Sequence, residues 1–92
     1  MTNEERRQLF LRALEAIAQL EKTYPGHPPF LSIHAQLDFL LGQATGAARD
    51  REGLARINLG QLAVHEVEGL DEAAADLFHQ VSGEACAMLR EP

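Results

Sequence analysis

Four histidines, one cysteine, two serines and fourteen carboxylates are the groups in this 92-residue chain that could do chemistry, and their spacing argues against most of it. His27, His34, His65 and His79 fall in four different segments. No two share the i, i+4 spacing that sets a pair of metal ligands on one helical face, and Cys86 has no CxxC partner. No metal site is expected. His34 and Asp38 do stand four apart, which suits a surface pair worth a few tenths of a kcal/mol better than a catalytic dyad. Neither Ser32 nor Ser82 lies in a GxSxG-type turn, and the glycines are isolated, so neither an acyl-transfer nucleophile nor a phosphate-cradling loop is indicated. Asp71, Glu72 and Asp76 could in principle pair for acid–base work. Asp71 and Glu72 are better explained as residues at a helix start, where negative charge meets the positive end of the dipole. Cys86 cannot form an internal disulfide, and in Glu84-Ala85-Cys86-Ala87-Met88 it reads as a small buried apolar residue, not a reactive thiol. The sequence therefore predicts no enzyme, no cofactor and no metal.

The elements that would position these residues are helices. The apolar fraction of 46% is that of a globular chain, and with few aromatics and no Trp the core must be made of Leu, Ile, Val and Ala, which favours helix. Thr2 and Glu5 have the spacing of a capping box. Behind them Phe10, Ala13, Leu14, Ile17 and Leu20 form a stripe at steps of three and four. Tyr24-Pro25-Gly26 ends that helix. Pro28 and Pro29 suit the first turn of a second, with Phe30, Ile33, Leu37, Leu40, Leu41 and Ala44 on its inner face. Thr45-Gly46 ends it, and the stretch to Arg49 reads as a loop.

Asp50 is the expected N-cap of a third helix, roughly Arg51 to Val67, whose apolar residues spread around much of its circumference. Gly60 in its middle implies close packing against another backbone. Gly69 and Asp71 mark a tight connection to a fourth helix with the stripe Ala74, Leu77, Phe78, Val81, Ala85 and Met88. The expectation is one all-α domain over residues 1–92, a small antiparallel bundle of about four helices.

Charge separates the chain into two parts. Residues 1–56 hold seven acids and seven bases, whereas residues 57–89 hold Glu66, Glu68, Asp71, Glu72, Asp76 and Glu84 with no Lys or Arg. Such a field repels nucleic acid and anionic membrane and attracts a basic protein surface. The charged start Met1-Thr2-Asn3-Glu4-Glu5-Arg6-Arg7 is unlike a signal peptide, and no apolar run approaches the roughly 20 residues of a membrane span, so a cytoplasmic location is expected. The acidic stretch from His65 to Asp76 has two readings. One is a solvated loop with solubilising charge. The other is a docking surface for a basic cleft, where charge of one sign speeds association roughly 10- to 1000-fold.

Tyr24-Pro25-Gly26, Ser32 with Gln36-Leu37-Asp38-Phe39-Leu40, and above all Ile57-Asn58-Leu59-Gly60-Gln61-Leu62-Ala63-Val64-His65-Glu66 before an acidic turn resemble small immunity proteins of type VI secretion systems. The resemblance covers roughly residues 9 to 85. It implies an immunity protein of bacterial competition, similar to those that neutralise NAD(P)⁺ glycohydrolase effector toxins, which binds its cognate toxin domain and occludes a basic active-site cleft without cofactor or chemistry. It also implies Glu66 as a contact residue. Charge alone adds Glu68, Asp71, Glu72 and Asp76, and His65 opens the same stretch. The chain departs from the resemblance at Val67-Glu68-Gly69-Leu70 and in its Ala-rich fourth helix, so the identity of the toxin stays open. The alternative is a helical interaction or adaptor module without a toxin partner, homodimeric through the third helix, and a homodimer of the free protein is compatible with either.

Overall fold

Thr2 starts the first helix as its spacing predicts. Its hydroxyl accepts from the Glu5 N–H at 3.1 Å, and its own N–H donates to the Glu5 carboxylate at 2.9 Å. The computed structural model describes residues 1–46 and 49–91. Helix α1 runs Asn3–Thr23 and α2 runs Pro28–Thr45. Between them Gly26 adopts φ +75°, a conformation that costs glycine nothing and other residues much. His27 is extended and the two prolines follow it in the first turn of α2. The loop expected ahead of Arg49 falls largely on residues 47 and 48, outside the described ones.

Asp50 caps α3 (Arg51–Ala55) through the Gly53 N–H, but the single third helix expected to reach Val67 is broken. The chain leaves the helix at Arg56, resumes as α4 (Leu59–Leu62), and continues as one π-helical turn (Ala63–Val67) closed by the Glu68 N–H on the Ala63 carbonyl at 2.9 Å. The cause of the break lies 22 residues away in sequence. The Gln36 side chain of α2 accepts from the Asn58 N–H at 3.0 Å and donates to the Asn58 side chain at 2.6 Å, taking that backbone group out of the helical ladder. Helix α5 (Glu72–Arg90) completes the fold.

Helix α1 packs against both α2 and α5, while α3, α4 and the π turn lie on α5. One continuous core results, with Phe10, Ile17, Phe30, Ile33, Leu37, Leu40, Leu59, Val67, Phe78 and Val81 all buried. The expected stripes are its walls, apart from Leu14, Leu41 and Leu77, which are only partly buried. The all-α bundle therefore stands, with the third helix delivered in pieces. Those pieces bury Leu54, Leu59, Ala63 and Val67, which accounts for most of the apolar spread around that segment.

Two glycines allow this packing. A Cβ on Gly53 would lie 2.5 Å from Cζ of Phe39, an approach no real side chain makes. A Cβ on Gly60 would lie 3.1 Å from Oγ of Ser82, so the tight neighbour is a side chain of α5 and not the backbone expected. Cys86 also corrects its reading, because it is exposed. Helix α5 turns Val81, Ala85 and Met88 inward, and Cys86, one residue and about 100° beyond Ala85, faces out.

The far end of α5 is held by arginines. Arg6, 4% exposed, donates to Glu84 at 2.9 Å and makes a two-pronged contact with Glu91 at 2.7 and 3.2 Å. Arg49 reaches Glu91 at 3.0 Å and the Gln43 carbonyl at 2.6 Å. Arg51 donates to the carbonyls of Leu89 and Glu91 at 2.9 and 2.6 Å. Hydrogen bonds from Arg6 hold the Glu91 carboxyl below the usual carboxylate range, and the same bonds raise the Arg6 guanidinium.

Candidate partner-binding surface

The opposite end of α5 begins at a tight turn. The N–H groups of Leu70 and Asp71 both donate to the Val67 carbonyl, at 2.8 and 2.9 Å, which satisfies a helix-end acceptor and reverses the chain. The Asp71 carboxylate then accepts from the Ala74 N–H at 3.0 Å, capping α5, and Glu72 occupies its first turn.

The structure divides the residues singled out by charge and resemblance. Glu68, Glu72 and Asp76 come together and, with Ala75, line a surface cleft of about 270 Å³. Glu72 and Asp76 share a face of α5 because they are four apart, and the turn brings Glu68 beside them. Glu66 points elsewhere, to Nε2 of His27 at the start of α2, 3.2 Å away. Asp71 lies between these groups with its carboxylate engaged in the cap. His65 is exposed on the π turn.

Histidines answer two of these acids. His79, one turn of α5 beyond Asp76, meets Glu68 at 2.9 Å, and His27 meets Glu66. A third such pair, His34 with Glu21 at 2.6 Å, joins α2 to α1, while Asp38 stands farther from the same ring at 3.6 Å. Sequence reading treated these histidines as scattered. The spacing of Asp76 and His79 could have placed His79 beside the acidic face, but nothing local relates His27 to a residue 39 positions on. Leu70 and Val64 are each 51% exposed.

Among the described residues no arginine or lysine pairs with Glu66, Glu68, Asp71, Glu72 or Asp76. Glu84, the remaining acid of this third of the chain, is matched by Arg6. These five acids fall in residues 57–89, a stretch that holds no Lys or Arg, and two of them, Glu66 and Glu68, meet histidines instead. Carboxylates so arranged can accept hydrogen bonds from arginine and lysine side chains. Among the described residues no three His, Cys, Asp or Glu side chains are grouped to hold a metal ion.

A family model described as Tsi6 matches residues 5–86, from the first turn of α1 into the last turns of α5, and so spans the acidic turn. No curated protein and no solved structure matches the chain.

Proposed function

This chain belongs to the Tsi6 family, a type VI secretion immunity family, and from that membership we propose that it binds a cognate NAD(P)⁺-consuming toxin domain and occludes its active site. The contact is made by the acidic pole of α5. The observation that carries this reading is the cleft of Glu68, Glu72 and Asp76 in a third of the chain without Lys or Arg. A site that grips a dinucleotide pyrophosphate needs positive charge, and a surface of the opposite sign is steered to it and fits over it.

Occlusion needs area and stability, and no chemistry by the blocking protein. A standard interface takes about 800 Å² per partner, roughly a seventh of the chain's 5296 Å² surface, which one end of the bundle can supply. Glu68, Glu72 and Asp76 form the centre of that contact, with Glu66 and His65 toward its α2 side and Asp71 acting through the field it adds. The protein acts in the cytoplasm, where the dinucleotide pool lies. No helix among the described residues is long and apolar enough to cross a membrane.

The test is inhibition at known stoichiometry. A candidate cognate toxin domain is incubated with NAD(P)⁺, and turnover is followed as this chain is added. Turnover should fall to background near one equivalent, and the chain alone should leave NAD(P)⁺ intact. Undiminished turnover with excess folded chain would exclude neutralisation of that toxin. Consumption of NAD(P)⁺ by this chain alone would make it an enzyme.

A further inference from the structure

The bases that meet the acidic stretch are imidazoles. His79 of α5 meets Glu68 at 2.9 Å, and His27, at the start of α2, meets Glu66 at 3.2 Å. Each pair joins two elements, because Glu66 lies in the π turn and Glu68 just past it. All four side chains also reach solvent, with exposures of 29–46%. Helices α1, α3 and α4 pack on α5 as well, and among the described residues none of them brings a carboxylate within 4 Å of the His79 ring. Asp76, one turn earlier on the same helix, is the further acid on that side. Around His27 the other groups are the Phe30 ring, edge-on at 4.6 Å between centroids, and Tyr24, which meets the same Phe30. Glu21 of α1 is taken by His34 at 2.6 Å.

The choice of base matters because the other end of α5 uses a different one. Arg6 keeps its charge at any physiological pH and so holds Glu84 throughout. An imidazole gains its charge only as pH falls through the range between about 8 and 5. On the acid side of that range each histidine and its glutamate form an ion pair, and the charge of the glutamate is neutralised. On the basic side a neutral ring meets a carboxylate that keeps its full charge. Half-exposed ion pairs are weak, so an arginine or lysine of a partner can replace the imidazole.

Resting on the toxin contact proposed above, we infer that His27 and His79 are built-in competitors for that contact. They hold Glu66 and Glu68 when charged and yield them when neutral, so binding weakens as the medium becomes acid. The competition requires no contact between either histidine and the toxin. It makes the two imidazoles regulators of the acidic surface, which is fully available only above their titration range.

The test is affinity for a catalytically silent toxin domain at about pH 8.5 and about pH 6, for wild type, His27→Gln, His79→Gln and the double variant. Glutamine keeps an N–H donor for each glutamate and cannot take the charge, so helicity should be unchanged. Titration of the toxin's own groups is common to every arm and cancels in the ratio of variant to wild type. At about pH 6 the double variant should bind at least about threefold more tightly than wild type, with each single variant in between, and at about pH 8.5 the two should agree within about 1.5-fold. His65 stays in every arm, so the double variant keeps part of the pH dependence. A double variant that binds no more tightly than wild type at about pH 6 overturns the competition while leaving toxin neutralisation intact. Weaker binding would show instead that the histidines hold the glutamates ready for the toxin. An advantage of equal size at both pH values overturns it too, because charge would then play no part. A wild type that binds the toxin at neither pH removes the toxin reading and the competition with it.

Discussion

The two ends of α5 carry the same kind of residue in opposite circumstances. At its C-terminal end Glu84 and Glu91 sit among Arg6 and Arg49, with every contact between 2.7 and 3.2 Å. At its N-terminal end Glu68, Glu72 and Asp76 share a cleft with His79 as the sole basic neighbour among the described residues. The first arrangement is closed. Its carboxylates tie the last turn of α5 to α1 and to the segment before α3, and they have little left to offer a partner. The second meets no arginine or lysine among the described residues, and with only Glu68 facing a histidine, Glu72 and Asp76 leave the free protein some self-repulsion. A carboxylate's role here is set by what faces it.

The largest effect should come from a change that spares neither end. Phe78→Ala, in the core, should cost roughly 3–5 kcal/mol and abolish binding through unfolding, visible as lost helicity by circular dichroism. At the acidic pole, Glu72→Lys with Asp76→Lys should weaken toxin binding at least about 100-fold, near 2.7 kcal/mol, with Tm unchanged or slightly raised. At the clasp, Arg6→Met should do the reverse. It removes hydrogen bonds to two carboxylates and should cost roughly 1.5–3 kcal/mol of stability while leaving affinity intact well below Tm. Loss of stability at both ends, or of binding at both, would dissolve the contrast.

Asp71 sharpens it, since this residue serves structure and field together. Asp71→Ala should cost about 1 kcal/mol from the lost cap, and Asp71→Asn only a few tenths because it caps as well, so any fall in affinity with Asn reports the charge alone. Reversal to Lys would mix the two effects.

The smallest effect is the dependence of the clasp on pH. Glu91 is held below the usual carboxylate range by Arg6, so its bonds favour the folded state with the carboxyl ionised. That contribution is fully present above the ordinary carboxylate value of about 4.3 and is lost as pH falls through the lowered one. Thermal unfolding should therefore find wild type more stable than Glu91→Gln at about pH 6, with the difference closing toward about pH 2–3. A gap that widens on acidification would contradict the assignment.

Local signals made most of the fold legible. The Thr2 and Glu5 box, the Pro28-Pro29 start and the Asp50 and Asp71 caps need only neighbours within three or four residues, and the stripe of α5 needs only the helical period. What escaped needs partners from afar. Gln36 breaks the third helix by claiming Asn58, and Arg6 reaches residues 78 and 85 positions away. The acidic pole was legible as a stretch of sequence and only partly as a site. Glu68, Glu72 and Asp76 share a cleft, but Glu66 turns to His27, because two residues along a helical segment carry a side chain to nearly the opposite face.

The most direct measurement is cellular NAD(P)⁺ in a strain expressing the toxin domain that this chain inhibits in vitro, with wild type, with the Glu72→Lys/Asp76→Lys variant, or with neither, at matched expression. The account predicts a collapsed pool without the protein, a preserved pool with wild type, and collapse again with the folded double variant. A double variant that protects as well as wild type would contradict the assignment of the acidic pole to the toxin.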